Sequence, residues 1–203
     1  MNKRLHAGRK RPFQIHKKWA ETKGFHLAFE DESGLSEKPV VRRTWAPRGK
    51  TPVIQSSGSW KSLSMAGMIV FTPQGNHPQL FFRLKPGSMD SLDFVVFLKD
   101  AKKEMRGKKL LLIWDRLPAH RARIVKEYVA SQASWLRIEH YPGYAPELSP
   151  VEFMWSAMKG RDLAHIPPKG LRHLKKMVRR SVKRIRQDEQ LLKGFLRKAY
   201  VLR

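Results

Sequence analysis

The stretch KLLLIWD (residues 109–115) decides the fold. From Leu110 to Trp114 it is an unbroken apolar run of strand length, and it ends on Asp115. Such a run suits a central strand buried on both faces, as in a parallel sheet. Working back, FHLAFEDES (25–33) places Phe25, Leu27, Phe29 and then Asp31 on one face, the period of a half-buried strand. SLSMAGMIVF (62–71) and PQLFFRL (78–84) predict two further strands joined by the turn TPQGNHP. VVRRTWAPRGKTPVI (40–54) reads as two short extended pieces around APRGK, which predicts an inserted β-hairpin. SMDSLDFVVFLKDAKKEM (88–105) predicts a helix capped by Ser88, with Leu92, Val95, Val96 and Leu98 at helical spacing and a stop before Gly107.

Working forward, AHRARIVKEYVASQ predicts a helix, WLRIEHY a short strand and SPVEFMWSAMKGRDL another helix. PKGLRHLKKMVRRSVKRIRQ sets Leu171, Leu174, Val178 and Ile185 on one stripe among basic residues, and DEQLLKGFLRKAYVL closes the chain as an amphipathic helix. Antiparallel strands followed by alternating β and α units is the element order of the ribonuclease-H-like fold. The expected fold class is therefore α/β: a mixed five-stranded sheet with helices on both faces, an inserted hairpin and C-terminal helices. The expected organisation is a basic N-terminal arm (1–23), a central ribonuclease-H-like domain (24–165) and basic C-terminal helices packed on it (166–203).

Charge narrows the function. The 203 residues include 42 Lys+Arg and 17 Asp+Glu, a net +25. Residues 1–23 hold eight basic residues and one acidic, for +7, and residues 169–203 hold thirteen and two, for +11. The two ends thus carry most of the excess around a more balanced middle, the footprint of a polyanion binder, most often nucleic acid. No apolar run approaches the ~18 residues that span a bilayer, and the N-terminus has no signal-peptide stretch. With no cysteine, disulfides, thiol catalysis and cysteine-ligated zinc are excluded, in keeping with a cytoplasmic, reducing setting.

Asp31 and Asp115 each end the apolar run of a strand, and sites in open α/β sheets lie beyond the carboxyl ends of strands. If the two strands are parallel neighbours, the two acids converge and need a counter-charge, which a hard divalent cation supplies through oxygen ligands. Alternation turns Glu30 and Glu32 to the opposite face, solvated or ion-paired. Glu152 has two readings. In SPVE it closes a capping box on Ser149 behind Pro150, or the helix aims it at the Asp31–Asp115 pair.

The blocks FEDESG, LLIWDRLPAH and YPGYAPELSPVEFMWSAMK together resemble the DDE transposases of the mariner superfamily, in particular their bacterial insertion-sequence branch. The resemblance covers roughly residues 24–165. It implies catalytic, metal-ligating acids at Asp31, Asp115 and Glu152, two Mg²⁺ ions (Mn²⁺ as substitute), and cleavage and strand transfer of double-stranded DNA at inverted-repeat ends and target. It also implies a homodimeric complex. Asp115 and Glu152 have 36 residues between them, similar to the family spacing. Arg116 departs from the family, standing where an Asn is usual. With some 23 residues before the first strand, this chain leaves no room for the family's helix-turn-helix domains. A catalytic half is expected, served by a separate helix-turn-helix polypeptide, in a bacterial cytoplasm at the nucleoid. The alternative reading is an inactive or repurposed transposase fragment that binds DNA without cleaving it.

For DNA contact the hairpin is the first candidate: Trp45 lies among Arg42, Arg43, Arg48 and Lys50, cations that hold phosphates around a ring that stacks a base. Arg116, Lys159, Lys175 and Arg179 are further candidates. His120 either touches a substrate phosphate or fixes its turn. Trp114 and Trp155 are expected as core or cover beside the site.

Overall fold

A computed structural model describes residues 3–56, 61–141 and 148–202, with side chains from residue 13 onward. The chain forms helix α1 (Lys3–Lys23), strands β1 (Phe25–Ser36), β2 (Ser62–Phe71) and β3 (Gln79–Pro86), and helix α2 (Ser91–Met105). Strand β4 (Lys109–Trp114), helix α3 (Arg123–Ser131), strand β5 (Leu136–His140) and helix α4 (Pro150–Ala157) follow. Helix α4 runs on into a single π-helical turn (Met158–Asp162), and α5 (Leu171–Gln187) and α6 (Glu189–Lys198) end the fold. The five strands form one sheet in the order β3-β2-β1-β4-β5. Strands β1, β2 and β3 pair antiparallel, while β1–β4 and β4–β5 are parallel. This is the mixed five-stranded sheet that the element order predicts.

The 109–115 run behaves as its composition demands. Leu111 and Ile113 enter the core on one face of the sheet, and Leu110, Leu112 and Trp114 enter the core on the other. The first core joins Phe29, Phe71, Trp155 and the stripe Leu174, Val178 and Ile185 of α5. The second joins Phe94, Leu98 and Ala101 of α2 to Val125 of α3. Helix α1 reaches the first core through Phe13 and Ala20, and the Phe13 ring meets Phe29 edge-on with centroids 5.1 Å apart.

Two local expectations are corrected. Residues 41–56 form no hairpin: they are coil with one turn at residues 48–49, and the segment is pinned at its start by a bridge between Val40 and Ala164. Pro39, Pro47 and Pro52 each remove a ladder donor, and the cations between them gain nothing by burial. Helix α2 starts two residues later than expected, because Asp90, not Ser88, is its N-cap. The Asp90 carboxylate accepts from Leu92 N and Asp93 N, and Asp93 returns the bond to Asp90 N, closing a capping box. This start leaves Leu92 and Val96 on the exposed side and buries Phe94, Val95, Phe97 and Leu98.

Candidate active site

Because β1 and β4 are adjacent and parallel, their carboxyl ends lie side by side, with Phe29 opposite Ile113. Asp31 and Asp115 each stand two residues beyond that pair, so they leave the sheet at one level. Strand β1 continues past β4 against β2, where Asp31 pairs with Gly67. The absent Cβ at Gly67 leaves the space that Trp155 fills: a Cβ there would lie 2.9 Å from Trp155 Cη2 and from Met154 Cε. Through that gap the buried Trp155 indole donates its Nε1–H to Asp31 Oδ2 at 3.0 Å.

On the other face of the sheet stands His120, for which the sequence offered a phosphate contact or a turn-fixing role; it is buried, with 3% of its surface exposed, which goes against the DNA contact. Its Nδ1 lies 2.9 Å from Asp115 Oδ1, and its Nε2 lies 2.7 Å from Glu32 Oε1 and 3.6 Å from Glu30 Oε2. A ring nitrogen facing a carboxylate on each side must donate on each side, so the ring is an imidazolium. Burial works against that charge, but the bonds to Asp115 and Glu32 and the Glu30 charge outweigh it and push the His120 pKa up to about 10. Glu30 and Glu32 turn to the His120 side of the sheet, where Glu32 pairs with the ring, but against the expectation of alternation one Glu32 oxygen still reaches the Asp31–Asp115 pair. Glu30 is enclosed, 1% exposed, and its carboxyl is held well above the usual range by burial and then by the charge of Glu32.

One oxygen each of Asp31, Glu32 and Asp115 lie within 4.8 Å of one another. Burial, then the charges of Glu152 and Glu32, push the Asp31 pKa up to about 7, against which the Trp155 bond is too weak. Asp115 moves the other way: burial would raise its pKa, but the bonds from His120 and Leu117 N–H lower it. Glu152 stands outside the 4.8 Å group, on the exposed face of α4's first turn. Its N–H donates to Ser149 Oγ at 3.4 Å, but its carboxylate does not return the bond as Asp93 does at α2. Only half of the capping box forms, and the carboxylate charge bears instead on Asp31 and on Lys159. Lys159, on the π-helical turn, donates to Ser33 Oγ at 2.7 Å, and its half-buried ammonium has a pKa lowered by burial.

The remaining candidates fall into two places. Arg42 passes over the π-helical turn, where a Cβ on Gly160 would lie 3.9 Å from its Nε. The loop it belongs to is tied there by His165 N–H donating to Val40 O at 2.9 Å. Arg43, Arg48, Lys50 and the 99%-exposed Trp45 project from this loop, and Arg116 is exposed beside Asp115. Arg179 on α5 lies away from the acids, in a groove of about 750 Å³ floored by Phe82, Leu84 and Val182. Lys175 is half-buried one turn earlier on α5. The segment YPGYAP (141–146) lies outside the described residues except for Tyr141. The sequence reading missed the roles of Trp155 and His120 as donors to the two aspartates. Their spacings were the available signals: Trp155 one turn beyond Glu152, and His120 five residues beyond Asp115.

A donor set of carboxylate oxygens, crowded enough to hold one acid half-protonated near neutrality, fits a hard divalent cation such as Mg²⁺. Asp31 keeps its proton below about 7, and a cation bound there must displace it. The rise in melting temperature caused by Mg²⁺ is therefore expected to be larger at pH 8 than at pH 6 in paired thermal-shift scans. Equal rises at the two pH values would place the cation elsewhere.

A sequence profile described as DDE superfamily endonuclease matches residues 26–175, and the chain belongs to this family. Among solved structures, the chain is similar to the Mos1 mariner paired-end complex with Mn at a TM-score of 0.70 and 17% identity, covering 98% of this chain and 60% of that one. It is similar to the catalytic domain of Mos1 mariner transposase at a TM-score of 0.64 and 16% identity, with 98% and 90% covered. The Mos1 strand transfer complex gives 0.68 and 16%, with 98% and 59% covered. At these identities the likeness is one of fold, and it is the ribonuclease-H-like fold of a transposase catalytic domain. The chain spans about 60% of the length of the Mos1 chains in the paired-end and strand transfer complexes. No curated protein sequence matches it.

Proposed function

We propose that this chain is a transposase catalytic domain, a polynucleotidyl transferase that cleaves DNA at inverted-repeat ends and joins the freed end to a target. The observation that carries this reading is the convergence of Asp31, Glu32 and Asp115 oxygens within 4.8 Å, with the Glu152 charge acting on the same site. Asp31, Asp115 and Glu152 are assigned as the catalytic acids. Asp31 and Asp115 each accept a ring N–H on one oxygen, and the second oxygen of each would be the ligand atom. Two Mg²⁺ ions, or Mn²⁺ in their stead, held by these three residues would supply the charge that activates the attacking oxygen and stabilises the leaving one.

Around the acids, Lys159 and Arg42 would bind the phosphates flanking the scissile bond, and Arg116 would add a third cation at the rim. The exposed loop with Arg43, Arg48 and Lys50 would track the DNA backbone while Trp45 stacks on a base. Lys175 and Arg179 extend the basic surface along α5. The proposed setting is the bacterial insertion-sequence branch of the family, acting in the cytoplasm on nucleoid DNA as a homodimer, with end recognition by a separate helix-turn-helix polypeptide. Among the described residues no helix is long and apolar enough to cross a membrane.

The experiment compares wild type with Glu152→Gln. Gln retains helix propensity and length but is a poor anionic ligand. Mg²⁺-dependent nicking of a DNA duplex is expected to vanish in the variant, with the thermal melt within a degree or two and DNA binding in EDTA unchanged. Equal nicking by both proteins would remove Glu152 from the site. If neither nicks while both bind DNA in EDTA, the chain is a DNA-binding remnant.

A further inference from the structure

The geometry points to His120 as a positioning residue: it sets which oxygen Asp115 presents to the acidic cluster and clamps Glu32 beside it. This rests on the catalytic reading of that cluster given above. His120 does not reach substrate, because its ring is enclosed. It lies nearly parallel to Trp114, with ring centroids 4.2 Å apart and planes at 4°, and the Phe94 ring meets it edge-on at 4.6 Å. Between these two rings the imidazole plane is fixed, and rotating it half a turn would present carbon to both carboxylates.

The direction of both N–H groups is fixed with it. Nδ1–H donates to Asp115 Oδ1, and the same oxygen receives Leu117 N–H at 2.9 Å. With two donors on Oδ1, Oδ2 is the Asp115 oxygen that keeps its lone pairs for a cation. Nε2–H holds Glu32 Oε1, and Glu32 Oε2 is buried with no hydrogen-bond partner. Trp155 does the corresponding work on Asp31 from the opposite face of the sheet. The acids are thus oriented from both sides of the sheet by ring donors that core packing holds in place. Outer donors of this kind tune a cation site about as strongly as moderate changes in its own ligands.

A bland reading is that His120 merely closes the turn after β4. Mn²⁺ titration calorimetry on the metal-free protein separates the two, alongside thermal melts and DNA binding in EDTA. His120→Phe keeps the stacked ring and removes both donors. It is expected to weaken Mn²⁺ binding by about 10–100-fold while leaving DNA binding in EDTA unchanged. His120→Asn, whose amide reaches the Nδ1 position, is expected to recover most of that loss. His120→Gln, which reaches only the Nε2 side, is not. Unchanged Mn²⁺ affinity in a folded His120→Phe protein overturns the proposal. If that variant does not fold, equal affinities of His120→Asn and His120→Gln overturn it, and a tighter His120→Asn supports it. Asp115→Asn is the control for the underlying reading. If it leaves Mn²⁺ binding intact, the cation site itself is misassigned. If it abolishes binding while His120→Phe does not, only the role of His120 fails.

Discussion

Asp31→Asn is expected to abolish strand cleavage and, at pH 8, to raise the melting temperature of the metal-free protein. The two effects share one cause. The Asp31 carboxyl is buried beside Glu32 and within the field of Glu152, so its folded pKa stands at about 7 against an ordinary value of 3.8. A group whose folded pKa is raised contributes its full stability below the unfolded pKa and loses it as pH rises through the folded one. Above about 7 the folded protein therefore carries an ionised Asp31 at a net cost, and a permanently neutral Asn does not. The Asn Oδ1 still accepts the Trp155 N–H, so packing is retained. The difference in melting temperature between variant and wild type should grow between pH 4 and pH 7 and then level off. A difference that is flat across this range would mean that Asp31 is not crowded by its neighbours. Added Mg²⁺ should reverse the order, stabilising wild type and not the variant. For cleavage, an anionic ligand of the cation site contributes several kcal/mol to the transition state, so a loss on the order of 10³-fold is expected. Residual nicking within about tenfold of wild type would remove Asp31 from the catalytic set.

Trp155→Ala is expected to cost about 3–5 kcal/mol of folding stability, as large aromatic truncations in a core do. Against a usual total of about 5–15 kcal/mol, that places the variant close to unfolding. Trp155 is among the largest fully enclosed side chains, and its ring fills the trough left by Gly67 and meets Phe82 with centroids 6.2 Å apart. Truncation would open a cavity between α4, β2 and β3 and leave Asp31 Oδ2 without its donor. Trp155→Phe separates the two roles, since it retains most of the ring but not the N–H. It should unfold at higher urea concentration than Trp155→Ala while showing an Asp31 pKa above that of wild type, because the bond it lacks is one that lowers that pKa. Urea titrations of the three proteins and NMR titration of the Asp31 carboxyl provide the measurement. A cost below about 1 kcal/mol for Trp155→Ala would mean that the indole is not wedged at Gly67.

Much of this was legible locally. An unbroken apolar run of strand length suits a strand covered on both faces, and KLLLIWD is covered by both cores. The stripe Leu174, Val178 and Ile185 faces inward because a helix repeats every 3.6 residues whatever surrounds it. Asp31 and Asp115 come to one level because each follows its own apolar run and the two runs lie parallel. What periodicity encodes is the face a residue turns to, not the partner it finds there. Thus alternation placed Glu30 and Glu32 opposite Asp31, but only the folded chain brings His120 between them and Asp115. The segment 40–54 has the turn residues of a hairpin, yet among the described residues it pairs only through the Val40–Ala164 bridge, and its prolines and like charges keep it open. Glu152 is the sharpest case. Ser149, Pro150 and Glu152 carry a capping box and an aimed acid in the same four letters. Which of the two forms depends on the acids that β1 and β4 bring to the first turn of α4, and so only the tertiary structure decides it.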